Sequence, residues 1–281
     1  MTPDWTVTTD DGVTLGATVT EPDGPVRAEV LLLHAMMVDH RTLDRPRGRG
    51  LATVLAGRGL RVHRADLRGR GLSDRPTDWS YDDLVYRDVP ALLGRFTTPP
   101  WVMTHSLGGH VTTAAWATGR VAPRGLVGLA ASPWLSSTET SRRRMLAKHV
   151  AMGLVAIGGR VHGRMPARRY GLGTVDESHG YSRDLRRFWR TGRWSDREGT
   201  DWSVAMRGLR GRILYITSEG DTLFAHPDPT ERWGAQAPTA RLLRIRHGDH
   251  GLDRAPDHME LGADDRSAPI WHQAADFMLA P

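Results

Sequence analysis

The 281-residue chain reads as an α/β protein: a doubly wound, mostly parallel sheet with a helical cap inserted between two of its strands. Three observations predict this. Continuous apolar runs of strand length alternate with stretches of helical periodicity, as strands buried on both faces and joined by crossover helices should. The series opens with two short alternating runs, the pattern of a hairpin. It breaks once, between residues 133 and 207, and an excursion of that length is best placed as a lid over the carboxyl edge of the sheet. The core domain is therefore assigned to residues 1–132 and 208–281, and the cap to 133–207.

In chain order, WTVTTDDG and VTLGATVT form the hairpin with Asp-Asp-Gly at its turn. AEVLLLHA at 28–35 is a continuous apolar strand, followed by a helical segment near 50–58 and a second strand, LRVHRAD, at 60–66. The polar turn LRGRGLSD leads into the helical pattern DDLVYRDVPALLGRF, which Pro90 should kink or interrupt. PWVMTH is the next strand and feeds the helix SLGGHVTTAAWATGR; GLVGLAAS at 125–132 is another buried strand. RILYITS and ARLLRIR supply two late strands, and SAPIWHQAADFML a closing helix. In such sheets ligands collect beyond the carboxyl ends of the strands.

Composition narrows the function classes. Hydrophobic residues make up 39% and charged residues 25% of the chain, ordinary for a soluble protein with a large core. Cysteine is absent, which excludes disulfides and thiolate metal sites. The N-terminal MTPDWTVTTDDG carries acids where a secretory signal has basic and then apolar residues, so a cytoplasmic location is expected. The net charge of +6 invites a nucleic-acid reading. Lys148 is the only lysine, however, and the arginine excess comes with no nucleic-acid motif, so no nucleic-acid partner is expected.

Ser106, in MTHSLGGH, stands where an apolar strand meets a helical pattern. A serine there can be a helix N-cap or a nucleophile on a sharp turn. A nucleophilic hydroxyl needs a general base, and the base a third group that fixes its tautomer. The late strand ends offer Glu219 and Asp221 in SEGDTLFAH, and His247 and His250 in HGDHGLD. A metal site at His247, Asp249 and His250 has no matching ligand spacing. The glycines of DLRGRGLSD lack the Lys-Ser/Thr of a phosphate loop and read as a structural turn. The backbone N–H of Leu107, at the positive end of the helix that begins there, can stabilise an oxyanion.

LLLHAMM, RADLRGRGLSD, MTHSLGG and the pair ITSEGDTLFAHP with HGDHG together resemble the α/β-hydrolase-fold serine hydrolases. The likeness is to the esterase, monoglyceride-lipase and serine-aminopeptidase-like branches. HAMM, RRYGLG and DLRRFWRTGRW are similar to a bacterial subgroup of predicted hydrolases. The resemblance implies Ser106 as nucleophile, Asp221 as orienting acid, His250 as base and the N–H of Met36 as second oxyanion donor. Two departures from the family pattern stand out: Thr104 occupies the glycine position two before the serine, and Ala35 replaces the glycine of His-Gly. The implied activity is cleavage of a carboxylic ester, or less readily an amide, through an acyl-enzyme, with a small-molecule ester or acyl substrate. No cofactor or metal is implied. An acyltransferase on the same residues, or a ligand-binding protein on the same fold, are the alternatives.

The cap is strongly basic. Between residues 141 and 193 stand 12 Arg and 1 Lys against Asp176, Glu177 and Asp184. Its helix RRRMLAKHVAMGLVAIGG has apolar positions at Met145, Leu146, Val150, Leu154 and Val155. This stripe either lies on a membrane surface or faces the core to cover the pocket. Core-facing is the expectation.

Overall fold

The structure is a computed structural model that describes residues 2–280. Strands β1 (Trp5–Thr8) and β2 (Thr14–Thr20) form the opening antiparallel hairpin, Val7 opposite Leu15. Then follow β3 (Ala28–Leu33), α1 (Leu51–Ala56), β4 (Leu60–Ala65), α2 (Tyr81–Asp83), α3 (Val89–Gly94), β5 (Trp101–His105), α4 (Leu107–Ala117) and β6 (Gly125–Leu129). A long excursion carries α5 (Arg142–His162), the two-residue strands β7 (Arg164–Met165) and β8 (Glu177–Ser178), α6 (His179–Thr191) and α7 (Trp202–Met206). The chain ends with β9 (Arg212–Ser218), α8 (Pro227–Gly234), β10 (Ala240–Ile245), α9 (Glu260–Ala263) and α10 (Ala268–Leu279).

Eight strands form one sheet in the order β1-β2-β4-β3-β5-β6-β9-β10. The β1–β2 and β2–β4 pairs are antiparallel and every pair from β4 onward is parallel. Both faces of the central parallel strands β3, β5, β6 and β9 are covered, which explains their continuous apolar runs, while the edge strand β10 is partly exposed. Val30, Leu32, Trp101, Met103, Leu214 and Ile216 pack on the side of α1 and α10, while Leu31, Leu33, Val102, Leu126 and Ile213 pack on the side of α4. The chain leaves β3 for β4 on one side, then crosses back to β5 on the other. The order therefore reverses between β3 and β5, the place in an open sheet where a crevice forms.

One local expectation holds and another is corrected in part. The helical pattern expected to kink or break at Pro90 is interrupted just before it. The preceding stretch Leu84–Asp88 widens into a π turn, in which the Val89 N–H donates to the Leu84 carbonyl five residues back. Pro90 then sits at the start of α3, where a missing N–H costs little. The orientation of α5 is only partly the expected one. Of its five apolar positions Val155 is buried and Met145 packs against the core, while Leu146, Val150 and Leu154 face outward; Lys148, Met152, Ala156, Gly158 and Gly159 complete the buried face. Lys148 donates to Glu139 at 3.0 Å, and a Cβ on Gly159 would stand 3.0 Å from His179 Nδ1. Two glycines and one paired lysine thus share the seated face with apolar residues, and an apolar count does not recognise them.

Stacked aromatic rings fasten residues 133–207 to the core. Tyr81 lies parallel to Tyr181 at 6.2 Å, edge-on to Phe188 at 5.0 Å and tilted against Trp202 at 5.1 Å. Trp194 meets Trp233 at 5.5 Å. Such pairs add roughly 0.5–1.5 kcal/mol each beyond burial.

Candidate active site

The turn between β5 and α4 sets the first functional group. Ser106 has φ 52° and ψ −111°, a conformation that L residues avoid. It is held by its N–H, which donates to the Leu129 carbonyl at 2.9 Å, and by its carbonyl, which accepts from the Gly109 N–H at 3.0 Å. Close approach of α4 to the sheet makes this turn possible. A Cβ on Gly108 would stand 2.7 Å from Leu33 Cβ, and one on Gly109 would stand 2.3 Å from Ala131 Cβ. Gly109 also makes room for Thr104, whose buried Oγ1 donates to the Val127 carbonyl at 3.3 Å. Here a glycine on the helix admits the threonine that stands two before the serine.

Asp221 lies just past β9 and is 2% exposed. Its Oδ1 accepts the Phe224 N–H at 2.8 Å and its Oδ2 accepts the Ala225 N–H at 2.9 Å. Burial alone would raise its pKa, but the histidine that it binds and these N–H groups outweigh that and hold the carboxyl below its ordinary value. The histidine is His258. Its Nδ1 lies 2.6 Å from Asp221 Oδ2 and its Nε2 lies 3.1 Å from Ser106 Oγ. With Nδ1–H donating to the carboxylate, Nε2 is left to accept the serine hydroxyl.

His250 is therefore corrected as the residue expected beside Ser106. It lies at φ 57° in an exposed turn directly after β10. The Asp249 N–H donates to the Arg246 carbonyl and the Gly248 N–H to the Leu252 carbonyl, which folds the segment back on itself at the surface. His247 is exposed in the same turn. Only further along, before α9, does the chain reach the serine. The missed signal is a histidine in PDHMEL followed at once by a short helix. His105 fixes this late segment: its Nε2 donates to the His258 carbonyl at 2.8 Å, and a Cβ on Gly262 would stand 2.7 Å from its ring. Burial lowers the His105 pKa to about 3, so the ring is neutral. Glu219, the other carboxylate near β9, lies at the surface beside Arg244 and Arg246.

The two expected oxyanion donors lie on adjoining segments. Leu107 opens α4, and Met36 occupies the turn after β3. The Gly108 N–H donates to the His34 carbonyl at 3.2 Å and ties the two together. His34 is fully buried, with Nδ1–H donating to the Ala35 carbonyl at 2.7 Å and Nε2 accepting the Leu67 N–H at 3.3 Å. Burial lowers its pKa to about 4. Asp66, at the end of β4, anchors the same loop through the His40 N–H at 2.7 Å and His40 Nδ1 at 2.5 Å.

The insertion grips this loop directly. Glu177 Oε1 accepts the Met37 N–H at 2.6 Å, and the Met37 carbonyl accepts the N–H groups of Thr174 at 2.8 Å and Val175 at 3.0 Å. Glu177 Oε2 in turn pairs with the fully buried Arg70 at 2.5 Å. Arg68 bridges Asp88 at 2.7 Å and Asp11 at 2.8 Å. The arginines of DLRGRGLSD thus hold loops together and do not cradle a ligand. Phe224 lies over the His258 ring at 4.9 Å and Trp134 against Phe224 at 5.8 Å, leaving an apolar flank beside the histidine. Among the described residues, no group of three or more His, Asp or Glu side chains is disposed to hold a metal ion.

A model of the Alpha/beta hydrolase family matches residues 30–261. No curated protein matches the chain in sequence. Among solved structures, it is similar to an esterase from Exiguobacterium antarcticum, with TM-score 0.65, 16% identity and coverage of 98% of this chain and 100% of that one. It is also similar to an enol-lactonase from Burkholderia xenovorans, with TM-score 0.64, 16% identity and coverage of 98% and 99%. A thermophilic esterase from Thermogutta terrifontis gives TM-score 0.63 at 16% identity over 99% of each chain. At such identities these likenesses speak for the fold alone. The family match spans most of the sheet, from β3 to α9, and on it the chain belongs to the alpha/beta hydrolase family.

Proposed function

We propose that this chain is a serine hydrolase that cleaves carboxylic esters through an acyl-enzyme on Ser106. The observation that carries the reading is the connected line from Ser106 Oγ to His258 Nε2 at 3.1 Å and from His258 Nδ1 to Asp221 at 2.6 Å. Ser106 Oγ attacks the ester carbonyl carbon and its proton passes to His258 Nε2. Asp221, kept ionised, stabilises the imidazolium that results. The new C–O bond places negative charge on the carbonyl oxygen, toward which the N–H groups of Leu107 and Met36 would donate. Collapse breaks the bond to the leaving alcohol, which takes the proton from His258. Water then repeats the sequence on the acyl-enzyme, with His258 again accepting the proton, and regenerates Ser106. The positive end of α4 favours the oxyanion as it forms. Phe224 and Trp134 give the acyl or alcohol part of a small substrate an apolar wall.

The test is hydrolysis of short-chain aryl esters by the intact chain and by Ser106→Ala. The wild-type protein should turn over and the variant should fall to the background rate. Turnover retained by Ser106→Ala would refute the proposal.

A further inference from the structure

The outward face of α5 carries five large aliphatic side chains, Leu146, Val150, Leu154, Ile157 and Val161, each between 56% and 68% exposed. At 100° per residue they fall within one narrow stripe along the helix, which spans 21 residues and so roughly 30 Å. Tyr170 and Leu172, 58% and 60% exposed, extend the apolar surface into the segment that follows. Water should not face such a surface without reason.

The charge around the stripe has one sign. Arg142 and Arg143 stand at the N-terminal end of α5, Arg160 and Arg164 at its C-terminal end, and Arg168 and Arg169 just beyond; all six are exposed. Within 142–169 the ion pairs among the described residues belong to Arg144 and Lys148. The six exposed arginines have none. The helix itself contains no acidic residue.

We propose that α5 is a membrane-contact helix that lies on bilayers bearing anionic headgroups, its aliphatic stripe in the acyl boundary and its terminal arginines on the phosphates. A strip of aliphatic side chains bordered by free cations is the arrangement that binds such an interface, through apolar burial together with attraction to acidic lipid. A second copy of the chain fits this face poorly. Whether two α5 helices met parallel or antiparallel, arginine-rich ends would face arginine-rich ends, with no carboxylate on either helix to relieve them. The helix lies on the bilayer and does not cross it: no helix among the described residues is long and apolar enough to span a membrane.

Vesicle co-sedimentation of the full chain tests this, with phosphatidylcholine vesicles and with phosphatidylcholine–phosphatidylglycerol vesicles. Binding to the anionic vesicles should exceed binding to the neutral ones by about tenfold or more and should weaken steeply with added salt. Val150→Asp with Ile157→Asp should reduce it by at least roughly tenfold, and so, less severely, should Val150→Ser with Ile157→Ser. Arg142→Gln with Arg143→Gln should reduce the preference for anionic vesicles. Circular dichroism and short-ester turnover should be unchanged in all three. Equal binding to both vesicle types, no binding to either, or binding indifferent to these substitutions would overturn the proposal. So would a dimer in light scattering that the Val150→Asp, Ile157→Asp variant abolishes. Ser106→Ala should bind vesicles as the wild type does, so a failure of the hydrolase reading would be seen separately.

Discussion

Ser106 combines a hydroxyl with a backbone that disfavours every residue except glycine. A non-glycine residue at φ 52° and ψ −111° costs of order 1–3 kcal/mol. Ser106→Gly should therefore raise the unfolding free energy by about 1 kcal/mol or more while abolishing ester turnover, as urea titration and an aryl-ester assay would show. An unchanged or lowered stability would mean that the turn is not strained. The two late histidines give a second residue-scale prediction. His258→Ala should lower kcat by about a thousandfold or more, the scale of losing the general base, whereas His250→Ala should stay within about twofold, since its ring is exposed and bonded to nothing in the site. Ser106 can be singled out from sequence because it follows directly on a strand whose apolar run is legible, whereas the choice of Asp221 over Glu219, which stands nearer to β9, rests on the family resemblance. His258 cannot, because a surface turn and a loop separate it from β10, and another histidine stands at the nearer and more obvious position.

At the scale of elements, the site depends on how closely α4 and the 174–177 segment approach their neighbours. A side chain at position 109 would collide with Ala131 and Thr104, so Gly109→Val should destabilise the fold by about 2 kcal/mol or more and displace Ser106. Thermal unfolding with residual ester activity would measure both effects. Glu177 links the insertion to the turn that carries Met36, since it accepts the Met37 N–H. Glu177→Ala should lower kcat more than it raises KM, because in the proposed mechanism the Met36 N–H acts on charge that develops after binding. A change confined to KM would mean that the clamp shapes only the substrate pocket. The strands and α4 are readable from apolar periodicity. The inward face of α5 is only partly so, because a paired lysine and two glycines share it with Met152, Val155 and Ala156.

Across the whole molecule, burial holds His34, His105 and His110 as neutral rings. Burial lowers His34 to about 4, and His105 and His110 to about 3, against an ordinary value of 6.5. Between about pH 4 and 6.5 the unfolded chain binds protons at these rings that the folded chain excludes. Asp82 and Asp88, raised by burial to about 6, bind protons on folding and offset part of this. With three histidines against two carboxyls, stability should still fall as the pH drops through that window. Each ring contributes up to about 1.4 kcal/mol per pH unit. Urea unfolding at pH 7.5 and pH 5 should show this loss, and equal midpoints would contradict it. The succession of strands and crossover helices along the chain is legible because the sheet's two covered faces leave a strong apolar signature. The meeting of β3, β5, β9 and the segment after β10 was only partly so, since it depends on loop paths that no periodicity records. That meeting is tested most directly by mapping a fluorophosphonate adduct by mass spectrometry in the folded wild type, His258→Ala and His250→Ala. The adduct should sit on Ser106, form at the wild-type rate in His250→Ala and form far more slowly in His258→Ala. A folded wild-type protein left unlabelled at Ser106, or a His258→Ala variant labelled as fast as wild type, would contradict the account.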